Sequence, residues 1–232
     1  MRYTNHWLNS LLLFLPVLIF AQEQHYKQAQ LVWQNDTLNY RILWPENFSE
    51  DASYPLVLFL HGAGERGSDN QSQLVHGSSL FINSENRSKF PAIVIFPQCP
   101  KGDYWANVAV DRSEKGVQLE FDTDKGPTRP LSLVMELLKE QLEKSYVDKE
   151  RVYVAGLSMG GMGTFEILSR MPNTFAAAIP ICGAGDEGLV GKYAHIPMWI
   201  FHGAKDNVVS PLYSIEMVET IVEAGRFLDF TV

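Results

Sequence analysis

Five short runs, Leu56 to Leu60, Ala92 to Phe96, Val152 to Ala155, Ala176 to Ile179 and Met198 to Phe201, are apolar without alternation. A strand with one wet face alternates apolar and polar residues. A strand with both faces covered does not, and such strands occur in parallel sheets flanked by helices. Between the runs the period changes. Leu131 to Lys144 places Leu131, Val134, Leu137, Leu138 and Leu142 on one helical face, with Pro130 suited to the first helical position. Pro211 to Ala224 repeats the pattern and Gly225 supplies the stop. The chain opens differently, with β-rich Leu31 to Trp33 and Leu38 to Trp44 around Gln34 to Thr37, an antiparallel hairpin. The expected fold is α/β: a doubly wound, mostly parallel sheet with an N-terminal antiparallel hairpin, in one domain without internal repeats.

Gly156-Leu157-Ser158-Met159-Gly160 follows the third run and precedes a helical pattern from Gly161 to Arg170. In that context G-x-S-x-G is a strand-to-helix turn that pushes a serine hydroxyl out of the backbone, and the glycines let strand and helix close around it. Ser158 is the candidate nucleophile. A serine hydroxyl needs a base, an acid to orient that base, and donors for the developing oxyanion. The backbone N–H groups of Met159 and of Ala63 or its neighbour are candidate donors, Ala63 lying in His61-Gly-Ala-Gly64 as it leaves the first run. His61, followed by glycine at a strand end, is expected to hold that loop's shape. The candidate acid is Asp206, past the Met198 to Phe201 run, because parallel sheets gather their sites at the carboxyl ends of strands. Asp186 is the fallback.

In this constellation the histidine follows the acid, and none follows Asp206 before Val232. Phe227 to Val232 alternates like a strand just begun, so the expectation is a domain running from residue 22 to 232 that lacks a C-terminal piece. His202, His195 and His76, the last placed in a polar helix, are poor substitutes: His202 precedes Asp206 by four residues and His195 lies at the opposite edge.

Arg2, His6 and the apolar block Leu11 to Phe20 ending at Ala21 read as a secretory signal, residues 1–21, too short to span a bilayer comfortably. The mature chain is then secreted or periplasmic, with no stable membrane insertion. Its removal takes away one base and no acid, deepening a formal net charge of −8. So acidic a chain argues against nucleic acid as a partner. Cys99 and Cys182 each close a different strand, three spacings apart in the expected order, on the order of 14 Å, so two free thiols are expected. N-x-[ST] sequons begin at Asn35, Asn47, Asn70 and Asn86. Pro100 to Arg129 is polar and weakly periodic. With Trp105 and Phe121 it reads as a flap over the site. No metal-spaced His/Cys cluster and no phosphate-binding glycine loop is present, so no metal or other cofactor is expected.

Leu60-His-Gly-Ala-Gly-Glu-Arg-Gly67, Phe96-Pro-Gln-Cys-Pro100, Asp148 to Gly161, Ile179-Pro-Ile-Cys-Gly183 and Trp199 to Asp206 occur in the order found in one family. From Pro55 to Val232 the chain resembles the secreted α/β-hydrolase esterases of the phospholipase/carboxylesterase-like or "predicted peptidase" group, relatives of dienelactone hydrolase and of prolyl oligopeptidase catalytic domains. The resemblance implies Ser158 as nucleophile, Asp206 as triad acid, an oxyanion loop at Gly62 and Ala63, and a histidine after the next strand in a segment like Tyr-Pro-x-x-Gly-His. It implies a serine hydrolase cleaving a small-molecule or carbohydrate-linked carboxylic ester through an acyl-enzyme. The alternatives are a serine peptidase of the prolyl oligopeptidase type and a non-catalytic binding module on the same scaffold.

Overall fold

The computed structural model describes residues 25–113, 116–122 and 124–232. The expected signal, residues 1–21, lies outside them. Strands β1 (Lys27–Trp33) and β2 (Asp36–Leu43) form the opening hairpin. It is tighter than expected, because Gln34 and Asn35 alone make the turn, both at positive φ (49° and 68°), and the second strand begins at Asp36, two residues nearer the turn. Two positive-φ residues give the turn a twist matching that of the flanking strands.

The main sheet has the order β1-β2-β4-β3-β7-β8-β9-β10, with β3 at Tyr54–Leu60, β4 at Ile93–Pro97, β7 at Val147–Leu157, β8 at Ala177–Ile181, β9 at Trp199–Phe201 and β10 at Asp229–Thr231. β2 meets β4 antiparallel, and every later neighbour is parallel. Short helices α1 (Ser78–Ile82) and α2 (Ser84–Lys89) join β3 to β4. Then α3 (Arg129–Leu142) leads to β7, α4 (Met159–Arg170) to β8, α5 (Val190–Tyr193) to β9 and α6 (Pro211–Glu223) to β10. α3 starts where Thr128 Oγ1 accepts the Leu131 N–H and Pro130 occupies the first turn; α6 ends at Gly225, φ +75°.

Leu56, Leu58, Leu60, Val152 and Val154 lie on one face of the sheet in a single core with Leu131, Val134, Leu137 and Leu138 of α3 and Phe165 and Leu168 of α4. Each such side chain contributes about 1.5–3 kcal/mol on burial. The other face is closed over β3 and β4, where Phe59, Val94 and Phe96 meet Tyr26 and Leu74. Further along it opens: Ile179 is 38 % exposed and Trp199 46 %. A cavity of about 560 Å³ lies on this second face between Trp44, Val57, Phe81, Arg87, Phe90 and Tyr153. None of these residues carries candidate chemistry.

The polar segment after β4 departs from expectation. It contains a separate antiparallel pair, β5 (Val108–Ser113) and β6 (Gly116–Phe121). Val108, Leu119 and Phe121 pack on Ala106, Met162, Val209 and Tyr213, and Tyr213 Oη accepts the Leu119 N–H at 3.1 Å. Trp105 belongs to no flap: it is fully buried in the main core, donating its indole N–H to His61 O at 3.1 Å. Both cysteines are free, as expected from strands β4 and β8 being three places apart.

Candidate active site

β7 ends at Leu157 and α4 begins at Met159, so Ser158 alone makes the reversal, at φ 56° and ψ −113°. Left-handed φ at a non-glycine residue is strained and persists only where the surroundings impose it. Here the surroundings are backbone. A Cβ on Gly156 would lie 2.1 Å from Gly160 O, and one on Gly160 would lie 1.9 Å from Leu60 O and 2.9 Å from His61 O. No side chain fits at either place. The head of α4 therefore rests directly on the end of β3 and on the loop that follows. The Ser158 N–H donates to Ile181 O at 2.8 Å, tying the turn to β8 as well.

That loop is the candidate oxyanion loop. Gly62 is extended and Ala63 opens a single 3-10 turn, Ala63–Glu65. A Cβ on Gly62 would lie 3.9 Å from Ser158 Cβ, which places loop and nucleophile side by side. Ala63 and Met159 are each the first residue of a helical turn, where an N–H has no intrahelical acceptor. His61 holds the loop's shape. Its Nε2 accepts the Cys99 N–H at 2.9 Å, so Nδ1 carries the proton and donates to Gly62 O at 2.6 Å. Burial pushes this imidazole down to about 4. Arg66, which sequence reasoning passed over, braces the same loop: Nε donates to Ala63 O at 2.9 Å and Nη1 to Asp103 O at 3.1 Å, and the guanidinium sits 4.6 Å over the Tyr104 ring.

Asp206 follows β9, two strands from Ser158 along the same sheet edge. Its Oδ1 accepts the Val208 and Val209 N–H groups at 2.8 and 3.0 Å. Oδ2 takes no hydrogen bond from the described residues; its nearest basic neighbour is His202 Nε2 at 3.7 Å. Between the two candidates lies Cys182, at φ 42° past the end of β8. Burial pushes its thiol up, the Ser158 backbone pulls against that, and the Asp206 carboxylate adds to the rise. The fallback acid, Asp186, caps a 3-10 turn by accepting the Gly188 N–H at 2.8 Å.

The described histidines are engaged elsewhere. His202 is buried, with Nε2 donating to Val209 O at 2.9 Å and Nδ1 against Ser214 Oγ at 2.7 Å, so both ring nitrogens are used structurally. His195 Nε2 meets Pro172 O. His76 lies in a bend and not in a helix, 3.5 Å from Glu65 Oε1. His25 faces Arg87. Ser158, the loop amides and Asp206 are thus assembled on one edge without a described histidine joining Ser158 to Asp206.

Residues 128–189 match the prolyl oligopeptidase family. A solved thermostable esterase is 34 % identical, with a TM-score of 0.79 over 90 % of this chain and 54 % of its own. The fold is that of the α/β-hydrolases. Among curated proteins, a bifunctional acetylxylan esterase/xylanase of Neocallimastix patriciarum is 28 % identical over 168 residues, 72 % of this chain and 21 % of that one. A poly(3-hydroxyalkanoate) depolymerase C of Paucimonas lemoignei is 26 % identical over 200 residues, 72 % of this chain and 44 % of that one. The chain therefore spans less than half the length of either curated relative.

Proposed function

We propose that this α/β-hydrolase is a serine hydrolase of carboxylic esters. Ser158 Oγ attacks the acyl carbon while a base takes its proton, and the tetrahedral oxyanion is held by the Ala63 and Met159 N–H groups beside Gly62. Collapse expels the alcohol, protonated by the same base, and leaves an acyl-enzyme that water cleaves by the reverse proton route. Asp206 Oδ2 orients the base. The observation that carries this reading is the Ser158 turn, held at φ 56° beside two first-turn amides.

The esterase relatives and the acetylxylan esterase in particular support a short acyl group on a small or carbohydrate-linked alcohol. Secretion or a periplasmic location fits such a substrate, and no described helix is long and apolar enough to cross a membrane. The test is fluorophosphonate labelling of the full-length protein. Ser158→Ala abolishes labelling; labelling that survives removes Ser158 from the mechanism. Asp206→Asn lowers turnover by about 10⁴-fold, as when a triad acid loses its charge. The match of residues 128–189 to the prolyl oligopeptidase family keeps one second reading, a peptidase. Turnover of p-nitrophenyl acetate against aminoacyl anilides separates the two.

A further inference from the structure

One carboxylate beside Ser158 has no part in the chemistry above. Glu65 ends the 3-10 turn of the oxyanion loop, and its side chain folds back over Gly62. The place a Gly62 Cβ would take is 2.9 Å from Glu65 Oε2 and 3.9 Å from Ser158 Cβ. The missing side chain at Gly62 is thus the space that carboxylate and nucleophile share. Glu65 is only 13 % exposed in its side chain. Oε1 faces His76 at 3.5 Å, a 55 % exposed imidazole that carries charge only when protonated, and Oε2 takes no hydrogen bond from the described residues. The neighbouring cation, Arg66, directs Nε to Ala63 O and Nη1 to Asp103 O.

A half-desolvated negative charge beside a developing oxyanion opposes the reaction of a plain ester, because like charges repel more strongly where water is excluded. It favours a substrate that brings hydrogen-bond donors to it, since a carboxylate is a strong acceptor and accepts only. We propose that Glu65 is a substrate-recognition group that selects esters carrying a hydrogen-bond donor next to the scissile bond, a hydroxyl or an ammonium, and rejects those carrying a carboxylate there. The assignment rests on the serine-hydrolase reading of Ser158.

The experiment measures kcat/KM of the full-length protein and of its E65Q, E65A and H76Q variants. Acetates of propanol, glycerol, N,N-dimethylethanolamine (protonated at nitrogen) and glycolate probe the alcohol side; ethyl lactate against ethyl propionate probes the acyl side. Loss of a hydrogen bond to a charged group lowers the donor-bearing substrates by about tenfold to a hundredfold in E65A, less in E65Q. Propyl acetate and acetoxyacetate rise by about threefold or more as the negative charge goes. The glycerol and dimethylethanolamine arms tell hydroxyl recognition from ammonium recognition. H76Q keeps the wild-type ranking. Donor-to-alkyl ratios unchanged by both Glu65 substitutions on both sides of the ester, or reproduced by H76Q, overturn the proposal. Fluorophosphonate labelling is run on every variant: a wild-type protein that neither labels nor turns over any ester fails at Ser158, whereas one that labels normally with unchanged ratios fails at Glu65 alone.

Discussion

Ser158 and Asp206 occupy the same sheet edge, yet the segments that present them are held in different ways. Around Ser158, main chain touches main chain, with Gly156 against Gly160 and Gly160 against Leu60 at distances that exclude any Cβ. Around Asp206, the loop is organised by the aspartate itself, which accepts two N–H groups two and three residues ahead and remains partly exposed. The candidate nucleophile is thus positioned by the fold, and the candidate acid positions its own loop. A position set by backbone contact tolerates no change in neighbouring side-chain volume. A position set by a side chain tolerates many neighbours but depends on that one residue.

The largest effect expected from this contrast is at Gly160. Gly160→Ala puts a methyl carbon where Leu60 O and C already stand, backbone atoms that cannot swing aside, and α4 must separate from β3. A cost of about 4 kcal/mol or more follows, at the exceptional end for one substitution, visible as loss of folded protein or a collapsed urea midpoint. Gly203→Ala in the acid loop, where a Cβ would meet nothing within 4 Å, is the matched control, expected within about 0.5 kcal/mol of wild type. Equal losses at the two sites would break the comparison.

The next effect is in pH and belongs to the nucleophile end. His61 keeps its neutral form in the fold down to about 4, chiefly because burial opposes its charge, while in the unfolded chain it protonates at its ordinary value near 6.5. The unfolded state therefore binds the proton first as pH falls. Stability from this residue is complete above about 6.5 and is lost between there and about 4, by roughly 3 kcal/mol. Urea unfolding at pH 7 and at pH 4.5 measures the drop, and His61→Gln flattens it. A slope identical in the variant would assign the acid sensitivity to other groups.

This difference in construction also explains what could be read from the sequence. The parallel strands were legible because burial on both faces leaves unbroken apolar runs, and the turn at Ser158 because its glycines are demanded by contacts between adjoining elements. The hairpin β5–β6 was missed although its alternation, Val108-x-Val110 and Val117-x-Leu119-x-Phe121, is present; each run is short and the polar residues that flank and join the two obscure it. Trp105 carries no local sign of being in the core instead of a flap, because what buries it is the approach of Gly163, whose Cβ would lie 2.4 Å from the Trp105 Cβ. Arg66 and Cys182 were invisible as site residues for a similar reason. Arg66 matters through carbonyls at Ala63 and Asp103, and Cys182 through its place between two loops that meet only when the sheet forms.

At the acid end, Asp206→Ala removes an acceptor shared by two amides and is expected to cost about 1–2 kcal/mol, with the amides of Val208 and Val209 losing hydrogen-exchange protection while Ser158 and its neighbours keep theirs. Asn retains one acceptor oxygen and is expected to recover about half of that loss. If exchange at Leu157 to Met159 rose as well, the two loops would be mechanically coupled and the contrast drawn above would be too sharp.

The smallest expected effect has the opposite sign. Ser158 holds φ 56° and ψ −113°, a conformation that a Cβ resists and glycine adopts at little cost. Ser158→Gly is therefore expected to stabilise the fold by about 1 kcal/mol relative to Ser158→Ala, while both lose fluorophosphonate labelling. That figure is the net of about 1–3 kcal/mol of relieved strain and a few tenths to about 1 kcal/mol of freedom that glycine gains in the unfolded chain. The difference between the two variants, each lacking the hydroxyl, isolates the backbone term. A glycine variant less stable than the alanine variant would mean that the turn is not strained by its side chain, and that the close approach of Gly156 and Gly160 sets the conformation without opposing it.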